Sequence, residues 1–246
     1  MNAIEIESLS KRFEDKTALD GLSLTIPEGE LFGLLGPNGA GKTVTIKTLC
    51  GILQPTSGNA RVGGYDVHRE QEKIHKIIGL CPQEPAYFGY LSGRENIDLF
   101  AHLQGVPTKQ LKENSTQLIK EVGLSEDADR RASKYSGGMI RRLSLAMALI
   151  HDPSIAFLDE PTVAMDPQSR HATWDLIREL KFRGKTVILT SHYIEEVEAL
   201  ADRVGIIDYG KLIALGSPTE LKQRNGATTL EDVFIALTGR KIREES

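Results

Sequence analysis

The chain has 246 residues, 40% of them hydrophobic and 26% charged, with 30 Lys and Arg against 34 Asp and Glu for a formal net charge of -4. That length suits one large domain or one domain carrying an inserted lobe, and the slight acidic excess argues against a general nucleic-acid footprint. No run reaches the roughly 18 apolar residues that would span a bilayer. The start at Met1 lacks the basic and apolar segments of an export signal, so the chain is expected inside the cell, with any membrane association supplied by a partner. Cys50 and Cys81 are isolated from each other in apolar surroundings and read as small buried thiols rather than metal ligands or a disulfide.

In chain order, Ile4 and Ile6, then Leu22, Leu24 and Ile26, alternate with polar residues, which predicts half-buried strands of an antiparallel sheet. The continuous apolar runs at 31–35, 155–158 and 187–189 predict central parallel strands covered on both faces. Each precedes a turn and a predicted helix, as in a layered α/β core. Between Gln83 and Ser136 the pattern changes, with helical spacing over 94–103 and 110–122 and no strand signal. Residues of about 90–150 are therefore read as a helical lobe set into the single domain. Beyond His192 a helix is expected over 195–200, then a hairpin formed by 204–208 and 211–214 around Tyr209-Gly210. Leu230, Val233, Phe234 and Leu237 recur at helical spacing, so a helical tail over about 220–246 is expected to pack down.

Three motifs carry chemistry. Gly36-Pro37-Asn38-Gly39-Ala40-Gly41-Lys42-Thr43 spells a complete phosphate-binding loop between a predicted strand and a helix over 43–49. Its glycines let backbone N–H groups turn toward phosphate, the helix start adds its positive end, Lys42 reaches the β- and γ-phosphates, and Thr43 offers a hydroxyl to magnesium. Asp159-Glu160 ends a buried strand, the edge of an α/β sheet where ligands sit. Asp159 suits magnesium, directly or through water, and Glu160 suits orienting or deprotonating the attacking water. An isolated acidic pair would read as a solvated turn; beside a full phosphate loop it indicates a nucleotide triphosphatase. Tyr135-Ser136-Gly137-Gly138-Met139 opens a helical run, with Ser136 as cap and glycine N–H groups open to an anion. By itself this third motif reads first as a capped helix.

In this order and spacing, over essentially the whole chain, the motifs resemble the ATP-binding cassette (ABC) superfamily. The resemblance implies an α/β fold, a P-loop nucleotide triphosphatase core of the ABC type with an antiparallel β subdomain and an inserted helical subdomain. It implies that Gln83 is the Q-loop glutamine, Asp166 the D-loop aspartate, His192 the switch histidine facing γ-phosphate and water, and Phe13 the aromatic stacked on adenine. Phe13 could instead fill core at a strand end. The expected nucleotide contacts are then Phe13, the loop 36–43, Val44, Gln83, Ser136, Gly137, Gly138 and Asp166. The expected catalytic groups are Lys42, Glu160 and His192, and the magnesium ligands Thr43, Gln83 and Asp159. The chain departs from the family pattern at Met139, which replaces a glutamine, at Val44, often Thr or Ser, and at Ala164-Met165, commonly Gly-Leu.

The resemblance further implies ATP and Mg2+ as cofactors and a head-to-tail homo- or hetero-dimer of ATPase domains, with ATP clamped between one loop and the partner's Ser136 motif. It also implies a separate transmembrane permease that holds the chain at the cytoplasmic face of the cell membrane. Pro27-Glu28-Gly29 and the segment 229–234 look like bacterial exporters of drugs, lipids or polysaccharides. The aromatics of Tyr87-Phe88-Gly89-Tyr90 could receive a helix of that permease or form ordinary local core. The main alternative is a soluble ABC ATPase in iron-sulfur assembly or another non-transport process; an ATP-gated scaffold is disfavoured by the intact Lys42, Asp159, Glu160 and His192 set.

Overall fold

The computed structural model of the chain describes residues 1–239. β1 (Asn2–Phe13) and β2 (Lys16–Pro27) pair antiparallel, with Ile4 opposite Ile26 and Ile6 opposite Leu24, so the alternating apolar residues share one face. β4 (Ser57–Val62) pairs with the other edge of β1 and β5 (Tyr65–Asp66) with β4, giving the order β2-β1-β4-β5.

A second sheet has six strands in the order β10-β9-β3-β8-β7-β6. These are β3 (Leu31–Leu35), β6 (Ile78–Cys81), β7 (Ile155–Asp159), β8 (Thr186–Ser191), β9 (Arg203–Asp208) and β10 (Lys211–Gly216). All pairings are parallel except the terminal hairpin of β9 and β10. Every residue of β3, β7 and β8 is buried, which is why each carries an unbroken apolar run, at 31–35, 155–158 and 187–189. Alternate residues serve two cores. Phe32, Phe157 and Ile188 face the antiparallel sheet together with Ile46 and Leu49 of α1 (Lys42–Leu49). Leu31, Leu158 and Leu189 face the opposite side.

That opposite core takes in α3 (Gly93–Leu103), α4 (Thr108–Glu121), α5 (Gly137–Leu149) and α6 (Pro167–Phe182). The helices between Gln83 and β7 therefore share one apolar interior with the parallel sheet. α5 is the hinge of this arrangement: it packs on β6, where a Cβ on Gly79 would collide with the Ala148 carbonyl. This close approach explains a glycine in the middle of a buried strand. It also hides β6 from sequence reading, because four residues with a central glycine, running on directly from α2 (Gln71–Ile77), show no strand period. β4 was equally illegible, since only Ala60 and Val62 of its six residues are buried.

The hairpin turn at Tyr209-Gly210 has φ of 45° and 78°, the left-handed pair a tight two-residue hairpin requires. α7 (Ile194–Leu200), α8 (Pro218–Arg224) and α9 (Leu230–Thr238) close the described chain. Leu230, Val233 and Phe234 pack on Leu35, Val197 and Ile206, whereas Leu237 remains 38% exposed, so the buried stripe stops one turn early. Residues 240–246 of the expected tail lie outside the described residues.

Candidate functional site

The parallel order of the second sheet assembles the site. Adjacent strands β3, β8, β7 and β6 end, at one edge, in the loop 36–43, His192, Asp159-Glu160 and Pro82-Gln83 respectively. Groups far apart in sequence become neighbours because each follows the C-terminal end of a neighbouring strand.

The loop runs from β3 into α1. Its N-cap, Gly41, has φ of 114° and a Cβ there would lie 2.7 Å from the Ala18 carbonyl, so only glycine fits. No side chain caps α1, which leaves its first-turn N–H groups for an incoming anion. Lys42 folds back under the loop and donates to the carbonyls of Gly36 at 2.7 Å and Pro37 at 3.2 Å, and it pairs with Glu160 Oε1 at 3.2 Å. Burial lowers the Lys42 pKa, opposed chiefly by Glu160. With an acceptor for each of its three N–H bonds, the amine stays an ammonium at neutral pH.

Glu160 is the shared partner of the two other chemical groups, since its Oε2 lies 3.0 Å from His192 Nδ1. Burial pushes its pKa up, but His192 and Lys42 outweigh this and hold it below the usual glutamate range. The pair thus shows opposite tendencies at its two ends, and the geometry decides it in favour of the ionised carboxylate, which two donors grip from different sides. The backbone of Glu160 is strained, at φ 51°. Its N–H donates to both the carbonyl and Oγ1 of Thr190, each at 3.1 Å, and the Thr190 hydroxyl in turn donates to Asp159 Oδ1. Asp159 is raised in pKa by burial, against the hydroxyls of Thr190 and Thr43.

Thr43 donates to Gln83 Oε1 at 3.4 Å and also faces Asp159. Hydroxyl, amide and carboxylate oxygens thus converge, all hard donors with a single carboxylate, a set that suits Mg2+ completed by phosphate oxygens and water. Among the described residues no group of three or more His, Cys, Asp or Glu is placed to hold a metal, so any ion here must draw on such outside ligands.

Phe13, at the end of β1, is 43% exposed and borders a cleft of about 250 Å³ together with Pro37, Asn38, Gly39, Gly41, Lys42, Thr43, Val44, Gln83 and Glu160. It is not core filling. The Lys11 ammonium stands 4.9 Å from its ring centroid, a cation–π contact that steadies one side of the ring. Gly36 and Ala40 are buried within the loop. Ser136, Gly137, Gly138 and Asp166 do not border this cleft. Ser136 and Gly137 are exposed at the start of α5, where Ser136 Oγ accepts from the Met139 N–H at 3.3 Å. Asp166 caps α6 through Ser169, and those bonds lower its pKa. The two segments adjoin, with Met165 4.0 Å from where a Cβ on Gly138 would stand.

Two anchors escaped the sequence reading. Thr190 fixes both carboxylates, a role that its place beside Ser191 and His192 at the end of β8 did not reveal. Arg141, buried on α5, donates to the carbonyls of Pro82 at 2.9 Å and Gln83 at 2.7 Å, and so ties the helix that begins at Ser136 to the segment carrying Gln83. The Arg141-Arg142 pair in the largely apolar run after Ser136 was the available clue. Cys50 and Cys81 are free buried thiols, with burial raising the pKa of each.

With the geometry in place, comparison with known proteins is direct. The pattern of the ABC transporter family matches residues 19–163. The chain is 42% identical over 241 residues to the linearmycin resistance ATP-binding protein LnrL of Bacillus subtilis (strain 168), covering 98% of this chain and 76% of that protein. It is 42% identical over 228 residues to the daunorubicin/doxorubicin resistance ATP-binding protein DrrA of Streptomyces peucetius, covering 93% and 69%. A solved ATP-binding subunit of an ABC transporter superposes with a TM-score of 0.88 at 25% identity, over 96% of this chain and 99% of that one. The chain belongs to the ABC transporter family of ATP-binding proteins and is an ATPase of that family.

Proposed function

We propose that this protein hydrolyses ATP to ADP and phosphate in order to drive a membrane exporter, with Glu160 as the group that orients or deprotonates water. The observation that carries this reading is the grip of Lys42 and His192 on the two oxygens of one buried carboxylate. When phosphate oxygens replace Glu160 as acceptors for Lys42, the carboxylate is released toward water while His192 still steadies it. Phe13 offers adenine its free face, and the N–H groups of the loop and of α1 take the phosphates. Thr43, Gln83 and Asp159 would hold Mg2+, which when bound offsets charge on the β- and γ-phosphates. Replacing Glu160 with Gln should strongly suppress turnover and leave nucleotide binding intact; unchanged turnover would overturn the assignment.

Ser136, Gly137, Gly138 and Asp166 act on a nucleotide held by a second ATPase domain, which accounts for their position away from the cleft of their own chain. The dimer clamps ATP and opens after hydrolysis. Residues of about 90–150 form the lobe that carries this second element. An apolar groove of about 280 Å³, bordered by Ile52, Leu80, Ala86, Phe100 and Met147, lies between that lobe and the core, and Phe88 and Tyr90, which follow Ala86 in sequence, are 53% and 89% exposed. Such a surface suits a helix of a permease subunit better than local core. The named roles of LnrL and DrrA in drug resistance favour export over iron-sulfur assembly. No helix among the described residues is long and apolar enough to cross a membrane. In this reading a separate permease subunit holds the protein at the cytoplasmic membrane face. Purification of the complex from detergent extracts with identification of a membrane subunit by mass spectrometry tests this; recovery with soluble assembly proteins alone would refute it.

A further inference from the structure

Glu196, on α7, is fully enclosed, with 0% exposure, yet takes no part in the contacts described above. Its Oε1 accepts two hydrogen bonds, from Thr162 Oγ1 at 2.8 Å and from Trp174 Nε1 at 3.0 Å. Those donors come from separate segments. Thr162 follows Glu160 by two residues, and Trp174 lies on α6, the helix capped by Asp166. Glu196 itself stands in the first turn of α7, just beyond His192 in sequence.

Burial raises the Glu196 pKa, while Ser191, Thr162, Trp174 and Arg170 favour its charged form; Oε2 makes no hydrogen bond of ordinary geometry. Arg170, also on α6, lies with its guanidinium 5.2 Å from the Tyr193 ring, and that ring is 4.2 Å from the His192 ring. An enclosed carboxylate is a costly way to fill space, and an apolar side chain of similar volume would ordinarily serve stability as well or better. Its placement at the meeting of the Glu160, His192 and Asp166 segments gives it a different use.

We infer that Glu196 is a positioning residue for hydrolysis, holding the segment after Glu160 and the segment after His192 at a fixed separation and tying both to α6. The inference rests on the ATPase roles proposed for Glu160 and His192. Thr162 would transmit the constraint to Glu160, and the first turn of α7 to His192.

The experiment measures kcat, KM and the affinity for a fluorescent ATP analogue in wild type, Glu160→Gln, Glu196→Ala, Glu196→Gln and Thr162→Val, each normalised to the nucleotide-binding fraction. Wild-type turnover that disappears in Glu160→Gln secures the underlying reading; without that loss it is the function assignment that fails. Given that loss, Glu196→Ala should lower kcat by roughly ten- to a hundredfold, the scale of a misplacement of about 1 Å near reacting atoms, with KM and affinity within about twofold of wild type. Glu196→Gln keeps an oxygen for Thr162 and Trp174 and should recover most of the loss. Thr162→Val removes one bond without touching the carboxylate and should give an intermediate kcat, which keeps the test decisive where Glu196→Ala does not fold. A normal kcat per nucleotide-binding molecule in Glu196→Ala, or in Thr162→Val, would overturn the inference, because a purely structural glutamate changes the folded fraction alone.

Discussion

The chain has two glycine-rich helix starts, at Gly41 on α1 and at Ser136 on α5, and they are built differently. The first is enclosed, lacks a side-chain cap, and is backed by an ammonium, two carboxylates and an imidazole. The second is exposed and capped by its own Ser136, and the Arg130 guanidinium is engaged by the Tyr135 ring and Met139 Sδ. The difference teaches that a helix dipole and glycine amides make an anion site of chemical use only where charged groups converge behind them. In the proposed dimer, the α5 start would contribute to hydrolysis by adding to a site supplied by the second ATPase domain.

The largest expected effect tests the first start. Glu160→Gln should reduce kcat by about 10²- to 10⁴-fold, the usual worth of a general base, in a steady-state phosphate-release assay. Next comes the tie between the two regions. Arg141→Met deletes two charge-assisted hydrogen bonds to backbone carbonyls and should destabilise the fold by roughly 3 kcal/mol in urea unfolding, with weaker magnesium dependence of ATP binding as Gln83 loses its anchor. Retained stability and magnesium dependence would sever the proposed link. Ser136→Ala should cost about 1 kcal/mol as a lost cap, and if α5 acts only across a dimer it should weaken ATP-dependent association in sedimentation while leaving nucleotide affinity of the monomer unchanged. Loss of monomer affinity would erase the contrast between the two starts.

Smaller effects sharpen the electrostatic side. Because the Glu160 pKa is depressed, its ionised form stabilises the fold above the ordinary glutamate range, and this contribution is lost as pH falls through the depressed value. The stability gap between wild type and Glu160→Gln should therefore be widest near neutrality and narrow on acidification, measured by urea midpoints across pH; a gap that widens would reverse the assigned sign. Ala164 occupies the left-handed region at φ 61° where the family commonly has glycine. Ala164→Gly should relieve about 1–2 kcal/mol of strain, partly offset by unfolded-chain entropy, for a net gain of about 0.5 kcal/mol in thermal unfolding.

The phosphate loop was legible because its chemistry is local: strand, glycines, lysine and threonine are consecutive, and each conformational demand falls on its own residue. The buried strands β3, β7 and β8 were legible from unbroken apolar runs. β6 was not, since what makes it a strand is its pairing with β7 and the α5 backbone pressed on Gly79. The contacts of Thr190 and Glu196 were hidden for a related reason. Nothing in a threonine within a strand, or a glutamate within a helix, shows that its oxygen is the acceptor or donor for residues some 30 positions away.

By itself, then, the order of residues determined that residues 36–43 spell a phosphate-binding loop, that an acidic pair ends a strand, and that the chain belongs with α/β nucleotide triphosphatases, since these properties depend on adjacency along the backbone. Only the tertiary structure decided that Lys42 and His192 share one carboxylate, that Arg141 holds Gln83 and that Glu196 binds three segments together. These are contacts across neighbouring strands and helices, and their geometry follows from sheet order and packing, which no local pattern encodes.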